Sequence, residues 1–245
     1  MKSTTQNVSI VTPTLNEVGS LNQLVIRIDA AMKRIGSVYE IIVVDDHSTD
    51  GTDVLALDLA SSYPVRLVLK KGVKGKAQSL LEGFATANYD TVAMIDADLQ
   101  YPPEALELMV NRLNDPLIDV VLSRREVSQT SIVRKVISWT FNFIFARLMH
   151  GMSYDAQSGL KVFRRRVLNN LNLKPTPWSF DLEFIVRTRQ NGAIIVEEPI
   201  TFGARKHDDA KINVITASFE LAKASTKLKH TLIKEFNRGL KGYQS

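Results

Sequence analysis

The sequence predicts an α/β fold: a mostly parallel sheet flanked by helices and buried on both faces, followed by a basic, helical C-terminal appendage. Three observations predict it. Short Val- and Ile-rich runs recur along the first half of the chain, each followed by polar residues and then a helix-period segment, which is the βαβ pattern. Those runs are apolar throughout rather than alternating, as strands covered on both sides must be. The net charge of +5 resides entirely in residues 203–245, where nine Lys or Arg face four Asp or Glu.

The 245 residues are 44% hydrophobic and 23% charged, enough for one large core. Twelve glycines, eight prolines and no cysteine exclude low-complexity and disulfide-scaffold classes. No window approaches the roughly 18 apolar residues of a membrane-spanning helix. The polar start, Met1 to Asn7, carries no secretory signal, so the expected location is cytoplasmic.

Strands are expected at Val8–Val11, Glu40–Val44, Val65–Leu69, Thr91–Ile95 and Asp119–Leu122. The first helix is expected over Glu17–Ile35, with Leu21, Leu24, Val25, Ile28, Ala31 and Met32 on one stripe and Gly36 as its stop. A second runs from about Gly51 to Ser61, with Ser48, Thr49 and Asp50 as N-cap candidates. A third follows Lys76 and turns Leu80, Leu81 and Phe84 inward. Beyond Ser123 the alternation ends. A basic, aromatic stretch over Ser131–His150 reads as either an interfacial or a core helix. A short strand is expected at Leu160–Phe163 and a helix at Phe180–Arg189. Asn213–Leu240 reads as a long amphipathic helix rich in lysine, suited to an anionic surface, a partner's helix or a dimer contact.

In an open parallel sheet, ligands bind at the carboxyl ends of the strands. Here those ends are acidic: Glu17 after the first strand, Asp45 and Asp46 after the second, Asp96 and Asp98 after the fourth. Crowded like charges require counter-cations or hydrogen-bond donors, so this edge points to a divalent metal or a polyhydroxylated ligand. Asp96, Asp98 and Gln100 recur at intervals of two, and their oxygens suit Mg²⁺ or Mn²⁺. A GxGxxG turn and a Walker loop are both absent, and the lack of cysteine and four scattered histidines argue against zinc.

Taken together, Pro13–Glu17 (PTLNE), Val43–Thr52 (VVDDHSTDGT), Lys70–Phe84, Asp96–Glu104 (DADLQYPPE) and Ser158–Arg165 (SGLKVFRR) resemble the family-two glycosyltransferases with the GT-A fold. Within them, the pattern is similar to the dolichol-phosphate mannose synthase and polyprenyl-phosphate glycosyltransferase branch. The resemblance implies a Rossmann-like GT-A domain over residues 1–203 and a basic lid loop with an amphipathic helix over 204–245. It implies transfer of a sugar, with inversion, from a nucleotide diphosphate donor such as GDP-mannose or a UDP-hexose to a polyprenyl or dolichyl phosphate at the cytoplasmic membrane face.

By the same resemblance, Pro13, Leu15, Glu17, Val44 and Asp46 line the base and ribose pocket. Asp96, Ala97, Asp98 and Gln100 form the metal and diphosphate segment, with Asp98 and Arg124 nearest the chemistry. Arg205 and Lys211 close over the phosphates, and Arg134 joins Arg124, Arg205 and Lys211 as a candidate cation for the acceptor. The family's usual aromatic is replaced by Leu15, and its Gly-x-Ser-Lys-like loop by His207–Lys211. The implied partners are the donor, the lipid phosphate, an anionic membrane surface and a membrane protein or second copy, with no nucleic acid. An acceptor hydroxyl would instead require a carboxylate base, for which Asp155 and Asp181 are candidates. A non-catalytic, partner-recruiting subunit is the further alternative.

Overall fold

The computed structural model describes residues 6–127, 154, 158–169, 171, 173–174, 179–203 and 222–235. In chain order the elements are β1 (Val8–Thr14), α1 (Val18–Arg34), β2 (Tyr39–Asp45), α2 (Thr52–Leu59), β3 (Val65–Leu69), α3 (Lys76–Ala85), β4 (Thr91–Met94), α4 (Ala105–Arg112), β5 (Val120–Val127), β6 (Lys161–Arg164), α5 (Phe180–Gln190) and β7 (Ile195–Phe202). A further helix, α6, covers residues 222–235. The strands form one seven-stranded sheet in the order β3-β2-β1-β4-β6-β5-β7.

β1, β2, β3 and β4 run parallel, β6 is antiparallel to both β4 and β5, and β7 pairs parallel with β5. The chain leaves β1 toward β2 and β3 and then returns to place β4 on the other side. The gap between the carboxyl ends of β1 and β4 is therefore a topological switch point, the position where such sheets open a crevice.

The period of two in the strands divides the core. Val8, Ile10, Ile41, Val43, Ala93 and Val121 face α1, α2 and α4, while Val11, Ile42, Val44, Met94, Val120 and Phe163 face α3, α5 and α6. The expected α1 stripe, from Leu21 to Met32, is buried, and Gly36 follows the helix at φ 67. Gly83 lets α3 lie directly on the sheet, because a Cβ there would strike Val11 Cγ1 and come within 2.9 Å of Val44 Cγ2. Phe84, Phe163, Phe180 and Phe184 join α3, β6 and α5, with Phe84 and Phe163 edge to face at 5.4 Å.

Three expectations change. β5 continues to Val127, so Arg124 lies within the strand, opposite Pro199, rather than beyond it. β7 has no counterpart in the sequence reading, because Glu197, Glu198 and Pro199 break its apolar pattern. An edge strand tolerates them, since one of its sides needs no ladder hydrogen bonds. The cap of α2 is Gly51, at φ 90. Asp50 instead links two helix starts, accepting from Thr52 N–H at 3.0 Å with one oxygen and from Val18 N–H at 3.1 Å with the other.

The described part of α6 is packed rather than appended. Ala224, Ser225, Leu228 and Leu232 are buried, and Glu235 reaches Arg187 of α5 at 3.2 Å. The expected helix at Ser131–His150, the flanks of Asn213–Leu240, and Arg134, Asp155, Arg205 and Lys211 lie outside the described residues.

Candidate active site

Loops at the carboxyl ends of β1, β2 and β4 meet at the switch point. Among the described non-glycine residues, those with positive φ are Asn16, His47 and Leu99, at 57°, 63° and 60°, one in each of these three loops. Such a conformation is most costly for a bulky side chain like Leu, and strain of this kind concentrates at functional sites. Two of them are held by their surroundings. Asn16 donates its N–H to Ser48 Oγ at 2.9 Å and accepts Thr49 N–H at 2.9 Å, while Leu99 is pinned by a buried side chain.

The acidic turn after β4 does not stand uncompensated. Lys76, the first residue of α3, places Nζ 2.6 Å from Asp96 Oδ1. Burial, reinforced by the charge of Asp98, pushes the Asp96 carboxyl above its ordinary range despite the opposing Lys76 ammonium. Burial draws Lys76 down, but Asp96 and Asp181 outweigh it and hold the ammonium charged well above its usual range. Asp98 Oδ1 accepts the Gln100 N–H at 3.1 Å, shaping the turn, and the Gln100 carbonyl accepts Gly203 N–H at 2.9 Å. Gly159 presses on Asp96: a Cβ there would overlap Asp96 Oδ2 and lie 2.7 Å from Tyr101 Cε2.

Behind this pair lies a second. Lys161, fully buried in β6, donates to Asp181 at the start of α5 and to the carbonyl of Ser158. Burial lowers the Lys161 pKa despite Asp181, whereas the Asp181 carboxyl, which burial would raise, is held below its ordinary value by Lys161 and Lys76. Arg125 adds to that field on Asp181 and stacks over Phe202 at 5.5 Å.

A third compensated carboxylate closes the β2 side. Asp46 accepts from Lys70 Nζ at 2.9 Å and from Gly75 N–H at 2.7 Å, and the same ammonium donates to the Gly75 carbonyl at 3.0 Å. Burial pushes the Asp46 pKa up, but Lys70 and the Gly75 amide together bring it below its ordinary value. Asp45 is likewise engaged, with Thr14 Oγ1 at 3.1 Å and Ser48 N at 2.9 Å.

The sequence-derived residues therefore separate by environment. Pro13 and Val44 are cross-strand partners, but the Val44 side chain lies in the core under α3. Leu15 is exposed on the rim at 47%, and Ala97 is buried beneath the turn. Glu17 accepts from Ser20 Oγ at 2.7 Å and donates its N–H to Thr52 Oγ1 at 2.9 Å. Arg124 is about half exposed, and its ion pair is with Glu126 at 3.7 Å. Successive strand residues point to opposite faces, so it is Arg125 whose charge reaches Asp181.

Lys70, Lys76, Lys161 and Arg125 escaped the sequence reading as individual site residues. Two signals were present. Lys161 interrupts an apolar strand, and Lys76 opens a helix at the positive end of its dipole, where a cation is disfavoured without a carboxylate partner.

The residues fit a hard divalent cation in part. Asp96 and Asp98 supply oxygen donors, but among the described residues no group of three or more His, Asp or Glu is assembled to hold a metal. Diphosphate oxygens and water would complete such a shell.

The chain is 31% identical over 212 residues to a dolichol-phosphate mannosyltransferase of Pyrococcus furiosus, covering 84% of this chain and 59% of that protein. It thus spans less than two thirds of that relative's length. It is 29% identical over 237 residues to an undecaprenyl-phosphate 4-deoxy-4-formamido-L-arabinose transferase of Klebsiella pneumoniae, covering 94% of this chain and 71% of the relative. In structure it resembles the glucosyl-3-phosphoglycerate synthase of Mycobacterium tuberculosis, solved with Mn²⁺, UDP and glucosyl-3-phosphoglycerate. The TM-score is 0.74 at 20% identity, over 92% of this chain and 80% of that one, which bears out the GT-A fold. Residues 9–171 match the family described as Glycosyl transferase family 2, with the acidic turn, Lys70, Lys76, Lys161 and the crevice between β1 and β4 inside the match, and the chain belongs to that family.

Proposed function

We propose that the protein is an inverting glycosyltransferase that moves a sugar from a nucleotide diphosphate donor to a polyprenyl or dolichyl phosphate at the cytoplasmic face of a membrane. The observation that carries this reading is the switch-point crevice in which Asp96 stands beside the charged Lys76, with Asp98 two residues on in the same turn. The relatives named for polyprenyl-phosphate transfer support it. Among the described residues no helix is long and apolar enough to cross a membrane; the contact of this domain with the bilayer is proposed to be peripheral.

In this reading the loops holding Asn16 and His47 shape the base and ribose side, with Leu15 on the rim and Asp46 fixing the 70–75 loop through Lys70 and Gly75. Asp96 and Asp98 would hold Mg²⁺ or Mn²⁺, which as a Lewis acid stabilises charge on a departing diphosphate. Lys76 adds a positive charge beside those oxygens, and the field of a preorganised cation is strongest in a partly desolvated cleft. A phosphate monoester acceptor is largely ionised at neutral pH, its second pKa being about 6, and needs no general base. Arg124, Arg134, Arg205 and Lys211 are the proposed acceptor-side cations.

One observation weighs against a hydroxyl acceptor: Asp181, a carboxylate proposed as the base, is bound to Lys161 and held below its ordinary pKa. Incubating the protein with a nucleotide-sugar panel, Mg²⁺ or Mn²⁺ and a polyprenyl phosphate should yield a lipid-linked sugar. Transfer to a polyprenol but not to its phosphate, or no transfer from any donor, would overturn the reading. A thermal-shift screen of GDP and UDP with and without Mn²⁺ identifies the base and tests the metal independently of lipid.

A further inference from the structure

The described helix α6 is two-faced in a way the core does not require. Ala224, Ser225, Leu228 and Leu232 are buried against the domain. On the opposite side Lys223, Lys227, His230 and Lys234 are exposed, and at 3.6 residues per turn they fall within about 60° of one another. They form a straight stripe roughly 16 Å long. Among the described residues none of these lysines has an ion-pair partner, whereas Arg27, Arg34, Arg66, Lys70, Lys76, Lys161, Arg165, Arg166 and Arg187 all do. The acidic residue of α6, Glu235, is turned inward to Arg187 at 3.2 Å. Ile233, 49% exposed, flanks the stripe.

Like charges aligned at helical spacing repel one another, so the stripe weakens the isolated helix slightly and is relieved by a surface of opposite charge. We propose that this face of α6 docks on a bilayer through anionic lipid headgroups. A flat, negatively charged surface satisfies all positions of a straight stripe at once. The exposed Ile233 suits the boundary between headgroups and acyl chains. Nucleic acid would present the same charge, but it gives an exposed isoleucine nothing to enter. The inference rests on the lipid-phosphate reading above for its purpose, and on α6 alone for its geometry.

The test uses the full chain in co-sedimentation with phosphatidylcholine vesicles with and without phosphatidylglycerol. A lysine near an anionic surface contributes about 1 kcal/mol, or about fivefold in partitioning. The K223Q/K227Q/K234Q variant should therefore lose about a hundredfold of its binding to the anionic vesicles. K33Q, on α1 against the opposite face of the sheet, should change it by no more than about twofold. Binding should fall with salt and be absent on phosphatidylcholine alone.

Equal binding to neutral vesicles, equal loss in K33Q, or retained binding by the triple variant would each overturn the proposal. So would loss of binding to an RNA oligonucleotide with vesicle binding unchanged. The substituted side chains are exposed, so the melting temperature should not move, and a drop would assign the loss to unfolding and count against the surface. In detergent the triple variant should transfer sugar as the unaltered protein does. Absence of transfer by both, with stripe-dependent vesicle binding intact, would sink the catalytic reading and leave the docking surface standing.

Discussion

The Lys76 ammonium lies 2.6 Å from the Asp96 carboxylate, tying the first turn of α3 to the end of β4. The pair resolves a conflict written into the chain, since burial disfavours the charged form of Asp96 and the start of a helix disfavours a cation. Asp96 more than offsets the burial of Lys76, while Lys76 offsets only part of the burial of Asp96, and together they present a fixed dipole at the crevice.

Lys76→Met should therefore lower transfer far more than stability. An interaction made by a preorganised cation with developing negative charge is worth about a hundredfold in rate or more. We expect a loss of that order in kcat/KM, measured with saturating Mn²⁺. Nucleotide affinity, measured by calorimetry, should fall less than the rate. Unchanged kcat/KM would remove Lys76 from the machinery.

Gly159→Ala probes the same carboxylate without touching any charge. The added methyl would overlap Asp96 Oδ2 and crowd Tyr101, and Asp96 must turn away to admit it. Overpacking of this kind costs about 1–3 kcal/mol. Transfer should drop at least about tenfold while the chain remains folded, because small displacements of a catalytic group are costly. Gly51→Ala gives the contrast. Its Cβ meets nothing within 4 Å, so the cost is that of φ 90 alone, about 1–2 kcal/mol in urea unfolding, with activity retained.

Lys161 and Asp181 should behave as a coupled buried pair. Removing one partner leaves an uncompensated charge, and Lys161→Met or Asp181→Asn should each destabilise the fold by about 3 kcal/mol or more. The double variant should be less destabilised than the sum of the two, a coupling readable from denaturant midpoints. An additive double variant would show that the two side chains do not depend on each other.

Acid stability should depend on Asp46. Its pKa is depressed in the folded state, so its contribution is complete above the unfolded value of about 4 and is lost as pH falls through the folded value. Lys70→Met removes the main cause of the depression and leaves burial, which acts in the opposite direction. The acid-unfolding midpoint should then move to higher pH, followed by circular dichroism across a pH series. A midpoint that stays in place would mean that Lys70 does not stabilise the Asp46 charge.

The βαβ alternation, the α1 stripe from Leu21 to Met32 and the acidic strand ends were legible in the chain because they depend on local periodicity and on which residue follows which. So were Gly36 as a stop and the oxygen-donor character of the turn Asp96–Gln100. β7 was not, because an edge strand is defined by its partner β5 and tolerates Pro199 and two glutamates that would disqualify a central one. α6 read as an appendage because amphipathicity shows that a face must be covered but does not say by what. Burial of Leu228 and Leu232 in the cluster shared with α3 and α5, and the Arg187–Glu235 pair, supplied the answer.

By itself the sequence determined that carboxylates would gather where the parallel strands end, and that such a gathering needs positive charge. Tertiary structure alone decided where that charge comes from. Lys70, Lys76 and Lys161 stand 24, 20 and 20 positions from Asp46, Asp96 and Asp181, separations at which no local rule predicts a pair. The order of strands in the sheet brings each ammonium to its carboxylate, and burial then makes the pairing obligatory.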